Sequence, residues 1–332
     1  MFIKTLPASC QNQHVIRKSK QGMHLGAIAL GLCSTLLCSS AFGHSRWVIP
    51  SHSILSGDKA PMVSIDFSIS NDIFHPDLPL GGIPIQALND KAEASKGEDQ
   101  SNNPMVKMLN STRVNVITPD GKTGADLPMV NLGRKSATAL TLEHSGTYRV
   151  NVIQNPVDVT LFKKSDGTPS RLFGPLEHVK EKLPNGATEL KTLRIYNDIH
   201  TYVTRNDLSN KAIAPTGRGL ELKHNTHPNE LFAKEAAKYT LLFNGKAITD
   251  KDLQESVDLK ITHHNTRYRN QRNTETPTLN KKGEFSITWS EPGLYLIEGE
   301  LSLPSRSKNS DANKVSNTDI YAFFLTLEVT PQ

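Results

Sequence analysis

Hydrophobic and polar residues alternate along several short segments of this chain. The clearest examples are residues 61–70 and 321–329, where every second side chain is apolar. Shorter runs of the same kind occur at 114–116, 148–152 and 285–289. A period of two places one face of a strand in a core and the other in water, as in antiparallel sheets. The pattern therefore predicts an all-β fold.

Two segments share one pattern: TALTLEHSGTYRVNV at 138–152 and GEFSITWSEPGLYLIEG at 283–299. Each runs through a strand, a polar turn, a Gly, a Tyr and a second strand. We interpret them as equivalent hairpins in two related sandwiches, with chance similarity between two hairpins as the alternative. Short alternating strands with frequent turns favour β-sandwiches of the immunoglobulin type.

The domain organisation follows from this repetition. The sequence predicts two immunoglobulin-like antiparallel β-sandwich domains, at residues 44–219 and 220–332. A short helix is predicted in the connecting region at Gly174–Pro184, where one Pro stands at the start and another at the end. Three polar stretches are predicted to be long loops, at residues 89–104, 265–282 and 302–319.

The first 43 residues have the features of a secretory signal. Basic residues precede an apolar run at 25–37, which is too short to cross a bilayer. Small residues at Ala41 and Gly43 suit a signal peptidase, so we predict a cut after Gly43 that leaves His44 as the first residue. An uncleaved anchor and a lipoprotein are the alternatives. The expected location is the periplasm, with no membrane insertion after cleavage.

Removing residues 1–43 changes the charge and the redox chemistry of the chain. All three cysteines lie in this segment, so the remaining chain has neither a disulfide nor a thiolate. The net charge falls from +5 to +1, because four basic residues and no acidic residue lie there. This balance gives no electrostatic reason to expect nucleic acid as a partner.

No motif of a known enzyme class is present in the sequence. It contains no Gly-rich phosphate loop after a strand, no Gly-x-Ser-x-Gly elbow and no His-Glu-x-x-His. We therefore expect a protein that is not an enzyme. An enzyme with a copper centre at an N-terminal His is the alternative.

Histidine is the informative residue type, and His44 is the first candidate metal ligand. An α-amine has a pKa of about 7.7–8.0, so a metal can displace its proton near neutral pH. The amine and the ring Nδ1 of one His can close a chelate ring on a single ion. The alternative is a frayed terminus in solvent.

Three further residues are candidate ligands. Asp72 and His75 follow a clear strand and could lie near the N-terminus if residues 47–50 begin the same sheet. Turn formation explains them equally well. His227 belongs to a His-x-x-His pair, and it could instead form the entry turn of the second sandwich. A site of imidazole, amine and carboxylate suits Ni, Co, Cu or Zn, and affinity alone does not select one of these metals.

The chain resembles a bacterial family of exported proteins that is described as a domain of unknown function. The resemblance rests on segments in the same order: GHSRWVIPS, SIDFSISNDIFHPDLPL, PTGRGLEL, THPNELF, TRYRN and FSITWSEPGLYLIEG. The family pattern matches His44 with its following Trp and Pro-Ser, and it also matches Asp72 and His227. The family's next His is offset from His75. Members are often labelled a periplasmic component of cobalt or nickel uptake.

The resemblance implies an exported, metal-linked accessory protein with two sandwiches. Our hypothesis is a periplasmic protein that binds a nickel- or cobalt-type ion and assists its uptake or delivery. Its partner would be an outer-membrane receptor or an inner-membrane metal transporter. The alternative is a secreted β-sandwich that acts as an interaction or adhesion module without a metal.

Overall fold

The protein is described here by a computed structural model that covers residues 44–85, 111–264, 274–305 and 316–332. The predicted signal segment and the loop predicted at 89–104 lie outside these residues. Within them the fold is all-β, as the alternation predicts. Among the described residues, no helix is long and apolar enough to span a membrane.

Strands account for most of the described chain. Those of the first part are β1 (Ser45–Pro50), β2 (Ile54–Leu55), β3 (Met62–Ser70), β4 (Leu78–Pro79), β5 (Ile83–Pro84), β6 (Arg113–Ile117), β7 (Val130–Asn131), β8 (Ser136–Thr141), β9 (Gly146–Ile153), β10 (Val157–Lys163), β11 (Pro169–Phe173) and β12 (Thr188–Arg205). Those of the second part are β13 (Leu220–His224), β14 (Ala236–Phe243), β15 (Lys246–Ala247), β16 (Val257–His263), β17 (Thr274–Glu275), β18 (Glu284–Thr288), β19 (Gly293–Pro304) and β20 (Ser316–Val329).

Helices are short. The helix α1 (Leu176–Val179) continues into a 3₁₀ turn at Lys180–Lys182, within the segment where the sequence predicts a helix. The second helix, α2 (Lys251–Glu255), has no counterpart in the sequence prediction, and the Asp250 side chain caps it by accepting a hydrogen bond from the Leu253 amide.

The strands form three sheets. The N-terminal sheet has the order β1-β3-β8-β7-β5, with β4 beside β3. The central sheet has the order β11-β10-β12-β20-β19-β16-β17. Strands β2 and β9 pair with β12, and β6 pairs with β9. The C-terminal sheet contains β13, β14, β15 and β18. The parallel pair β12–β20 at the middle of the central sheet links the two parts of the chain.

The central sheet contributes side chains to two hydrophobic cores. In β20, Phe324 packs into the core of the N-terminal sheet, whereas Phe323 packs into the core of the C-terminal sheet. In β12, Ile199 packs into the core of the N-terminal sheet and Tyr202 packs into the core of the C-terminal sheet. In these two strands, alternate side chains therefore enter two different cores, instead of one core and the solvent. Residues Phe42–Gln332 form one compact unit, and the domain boundary near residue 219 stays a prediction.

The two similar segments are equivalent, but they are not hairpins. In each, the first strand lies in an outer sheet and the second lies in the central sheet: β8 and β9 in one, β18 and β19 in the other. Tyr148 and Tyr295 form the same corner, because each hydroxyl donates to the carbonyl of the residue four positions earlier, at 2.9 and 2.8 Å. Such a tyrosine corner accompanies immunoglobulin-like sandwiches. The hairpin interpretation was wrong because a short polar turn also allows a change of sheet.

The loop predicted at 302–319 is shorter than expected. The strands β19 and β20 extend to Pro304 and from Ser316, and they pair in register along this length. Some of the polar residues that were predicted to form this loop lie at the ends of the two strands. Composition alone does not distinguish a polar strand end from a loop.

Candidate functional site

The N-terminal edge of the molecule consists of His44, strand β1 and the loop at residues 71–77. Strands β1 and β3 are antiparallel, and Ser45 lies opposite Ser70. His44 precedes Ser45 and the loop follows Ser70, so both leave the β1–β3 pair at the same end of the sheet. Strands β1 and β3 therefore share one sheet, which is the condition that the sequence analysis set for Asp72 and His75.

Hydrogen bonds fix the shape of this loop. The Ser70 hydroxyl donates to Asp77 at 2.6 Å and accepts from the Asp72 amide at 2.9 Å. The His75 amide donates to the Asp72 carbonyl at 3.0 Å, and Phe74 adopts a left-handed backbone with φ 64°. Loops with this much internal bonding hold their side chains in defined positions.

The His75 ring is oriented through one nitrogen. Its Nδ1 lies 3.1 Å from the Ile73 carbonyl and 3.5 Å from Asp72 Oδ1. A proton on Nδ1 satisfies this contact and leaves the lone pair on Nε2. The side chain is 34% exposed. Histidines that bind metals usually donate their other ring N–H to a carbonyl or a carboxylate in this way.

Two side chains anchor β1 next to the loop. Trp47 is 1% exposed and meets Phe74 edge to face, with ring centroids 5.8 Å apart. The Arg46 guanidinium lies 5.3 Å from the centre of the Phe324 ring, and it donates to the His44 carbonyl at 3.3 Å. Burial lowers the pKa of Arg46 to about 10. The backbone at His44 is thus tied to the packed interior.

His227 lies at the other end of β1. Its neighbour Asn229 donates to the carbonyl of Ser53, which lies beyond the end of β1 at Pro50. At about 3.3 Å per residue, the six residues of β1 separate His227 from His44 by more than the diameter of a metal site. The structure therefore does not bring His227 together with the other candidate ligands.

Both ring nitrogens of His227 have protein partners. The Nδ1 accepts from the Asn229 amide at 3.1 Å, which places the proton on Nε2. That Nε2 lies 3.2 Å from the Ser209 carbonyl and 3.2 Å from the Thr147 hydroxyl. Burial lowers the pKa of His227, which favours this neutral form. These bonds support the alternative role as a turn residue.

Side chains alone do not assemble a metal site in the described part of the chain. No group of three or more His, Cys, Asp or Glu side chains in residues 44–85, 111–264, 274–305 and 316–332 is spaced to hold an ion. A site at the N-terminal edge would need the α-amine of His44 as a donor. That amine exists only after cleavage behind Gly43.

Adjacent His263 and His264 lie closer together than strand alternation implies. Their ring centroids are 4.3 Å apart and edge to face. Strand β16 ends at His263, and the His264 amide still donates to the Leu294 carbonyl at 2.8 Å. His263 also stacks on Tyr295 and lies 3.9 Å from Glu291.

A cleft of about 670 Å³ opens on the face of the central sheet that carries Arg149, and we call it the Arg149 cleft. Its floor comes from β6, β9, β12 and β20, and its wall comes from the segment before β13. The polar and aromatic lining side chains are Asn115, Thr123, Arg149, Asn151, Gln154, Tyr196, Asn197, Asp198, Thr216, Arg218 and Tyr321.

An ion pair lies at the base of the Arg149 cleft. Arg149 is 3% exposed, and its Nη2 donates to both oxygens of Asp198 at 3.1 and 2.8 Å. His200 Nδ1 lies 3.2 Å from the same carboxylate. Burial raises the pKa of Asp198, but the charges of His200 and Arg149 outweigh it and hold this pKa below its ordinary value. The carboxylate is therefore ionised at neutral pH.

The wall of the cleft is held by Glu221, which is 2% exposed. Its carboxylate accepts hydrogen bonds from the amides of Thr216, Gly217 and Arg218 at 2.7, 2.6 and 3.1 Å. Three charge-assisted bonds to consecutive amides fix the backbone of this segment. The exposed Arg218 side chain is thereby presented at the cleft from a rigid support.

Sequence analysis missed the Arg149 cleft. The signal was present in β9 and β12, where Arg149 and Asn151, and Tyr196 and Asp198, occupy alternate positions. The alternation rule assigns such a face to solvent. Here the segment before β13 covers part of that face and turns it into a cleft.

Comparison with curated proteins gives no match. Comparison with solved structures gives matches of low similarity. Over 85% of this chain, a trypsin-activated α-2-macroglobulin from Escherichia coli matches with 9% identity and a TM-score of 0.21, and the chain spans only 15% of that protein. The D0-D1 domain of intimin matches over 83% of this chain and 96% of its own length, with 10% identity and a TM-score of 0.20.

A DUF4785 family protein from Legionella pneumophila matches over 78% of this chain and 52% of its own, with 8% identity and a TM-score of 0.23. Scores this low carry no argument about function. The family comparison is different, because one model matches residues 41–302, which is most of the chain. The chain belongs to the family described as Domain of unknown function (DUF4198).

Proposed function

We propose that this protein binds a divalent transition metal ion of the nickel or cobalt type at its N-terminal edge. The ion is the cargo, and the protein assists its uptake or delivery in the periplasm. The observation that supports the proposal is the antiparallel pairing of β1 with β3, because His44 precedes β1 at the same end of the sheet where the loop of Asp72 and His75 follows β3.

The donors available at this edge suit such an ion. Cleavage after Gly43 gives His44 a free amine next to its imidazole, and His75 offers the Nε2 that its Nδ1 contacts leave unprotonated. Asp72 lies 3.5 Å from His75 Nδ1, where it can orient the ring or contribute an oxygen. Nitrogen-rich donor sets with a carboxylate favour the later divalent metals of the first row over Mg and Ca.

Delivery requires an accessible site, and the edge is accessible. His44 is exposed, and the Asp72 and His75 side chains are 41% and 34% exposed. A receptor or transporter could therefore take the ion by replacing one ligand at a time. In this proposal, His227 forms the turn described above and does not bind the ion.

Calorimetric titration with Ni, Co, Cu and Zn tests the proposal on protein that begins at His44. The matched variant carries a flexible Gly-Ser extension before His44, which removes the amine from the site but keeps the imidazole. His75→Ala tests the second nitrogen, and His52→Ala at the other end of β1 is its control. We expect tight binding that the extension and His75→Ala weaken and that His52→Ala leaves unchanged.

Equal binding by the extended and unextended proteins would contradict the proposal. Protein that begins at His44 and binds none of the four metals would also contradict it. The alternative function, an interaction or adhesion module that binds no metal, would then be favoured.

A further inference from the structure

The Arg149 cleft is separate from the N-terminal edge and has the features of a ligand site. Its volume of about 670 Å³ lies in the range of small-molecule sites, roughly 300–1,000 Å³. Its lining combines two guanidinium groups, amides, hydroxyls and two tyrosine rings with apolar side chains from Ile117, Ile153, Leu220 and Ala322. Such a mixture suits a ligand whose polar groups pair with the guanidinium and amide groups and whose carbon skeleton packs on the apolar part.

Arg149 has unused hydrogen-bonding capacity at the base of the cleft. Within the described residues, its buried Nε has no hydrogen-bond partner. Arg149 commits only its Nη2 to Asp198. An unpaired buried polar group is costly, so this guanidinium group is stabilised when a ligand or water pairs with its Nε.

The Arg218 guanidinium favours an anion. Arg149 and Arg218 line the cleft with the Asp198 carboxylate, and the Glu221 carboxylate behind the wall is bound by the amides of Thr216, Gly217 and Arg218. Asp198 is already paired with Arg149, and Arg218 has no carboxylate within 4.0 Å in the described part of the chain. A guanidinium group without such a partner binds a carboxylate through two parallel hydrogen bonds.

The amides favour hydroxyl groups. Asn151 donates to Asn115 at 3.1 Å, which leaves an acceptor on Asn151 and donors on Asn115. A hydroxyl both donates and accepts, so paired amides of this kind suit several hydroxyls on one small molecule. Tyr196 and Tyr321 stack at 4.8 Å and form a flat wall beside them.

We propose that the Arg149 cleft binds a small carboxylate that carries several hydroxyl groups, of the sugar-acid class. Arg218 holds the carboxylate, and the amides of Asn115 and Asn151 with the free donors of Arg149 bind the hydroxyls. The ligand is either a free sugar acid or the end of an acidic polysaccharide, since both present the same chemistry to an open cleft.

The test is calorimetric titration of the protein that begins at His44, without added metal. D-glucuronate is the probe, and D-glucose is its control because it has a hydroxymethyl group in place of the carboxylate. Arg218→Gln removes the exposed charge without disturbing the Glu221 bonds to the backbone. Arg171→Gln, an exposed arginine on β11, is the matched control variant.

We expect glucuronate to bind at millimolar concentrations or below, and glucose to bind at least about tenfold more weakly. Arg218→Gln should weaken glucuronate binding by about tenfold, and Arg171→Gln should not. Absence of glucuronate binding, equal binding of glucose, or an unchanged affinity in Arg218→Gln would overturn the proposal. A glucuronate-containing oligosaccharide that binds more tightly than the monomer identifies a polysaccharide as the source. Equal or weaker binding identifies the free acid.

Discussion

The N-terminal edge and the Arg149 cleft differ in how their polar groups are held. At the edge, Asp72 and His75 are exposed on a loop that short-range hydrogen bonds shape. In the cleft, Arg149, Asp198 and Glu221 are set in strands, and the buried Arg149 pairs with the partly buried Asp198. The edge can therefore change its ligands at little cost to the fold, whereas the polar groups of the cleft are part of the folded core.

The largest expected effect is a loss of stability when the ion pair of Arg149 and Asp198 is broken. Arg149→Ala leaves Asp198 without its main partner, and we expect the free energy of unfolding to fall by about 3 kcal/mol. Chemical denaturation measures this change. The control is the double variant Arg149→Met with Asp198→Leu, which removes both charges and should recover much of the loss. A single variant as stable as the original protein would show that the cleft is not held by this pair.

A smaller effect separates stability from binding at the edge. Asp72→Asn keeps the shape of the side chain but removes its charge beside His75. Because this carboxylate is 41% exposed, the free energy of unfolding should change by less than about 0.5 kcal/mol. Nickel affinity should fall by about tenfold, as expected when a residue that supports a ligand is changed. Calorimetry measures the nickel affinity of this variant, and chemical denaturation measures its stability. A large loss of stability would contradict the view that the edge can change its ligands at little cost to the fold.

The smallest expected effect is a pH dependence of the free energy of unfolding, which comes from buried histidines near the cleft and not from the N-terminal edge. Burial holds the pKa of His224 well below its ordinary value and lowers that of His200. The unfolded chain therefore binds protons below about pH 6.5 that the folded chain does not bind, so stability is complete above that pH and falls as the pH decreases. His224→Phe should make this fall shallower between neutral pH and about pH 5.

The structure supplies a matched control for this pH dependence. His224 lies edge to face between Tyr202 and Tyr239, at 5.1 and 5.6 Å. Tyr239→Phe changes the same cluster without removing a group that titrates in this range. Its stability curve should keep the original slope against pH. A His224→Phe protein with the original slope would contradict the assignment.

The all-β fold was predictable because alternation in β3 and β20 is strong and needs no knowledge of partners. The two tyrosine corners were predictable as a repeated pattern, although their change of sheet was not. A turn sequence fixes the reversal of the chain locally, but the sheet that receives the next strand depends on distant packing. The pairing of β12 with β20, more than 100 residues apart, has no local signal.

The two sites also differ in how far the sequence could predict them. Asp72 and His75 were visible because carboxylate and imidazole groups stand together after a strand. The sequence analysis named one condition for their approach to His44, the presence of β1 in the same sheet, and β1 pairs with β3 in that sheet. Arg149 was not visible, because its burial depends on a segment more than 60 residues away. His227 was visible as a histidine, but its bonds to Ser209 and Thr147 need the folded structure.

The most direct test of the metal proposal locates the ion. Crystals of the protein that begins at His44, grown with Ni²⁺, would be measured at the nickel absorption edge. The account predicts an anomalous density peak within about 2.0–2.2 Å of nitrogen donors of His44, with His75 or Asp72 completing the set. A peak at His263 and His264 instead, or density at no protein donor, would contradict it.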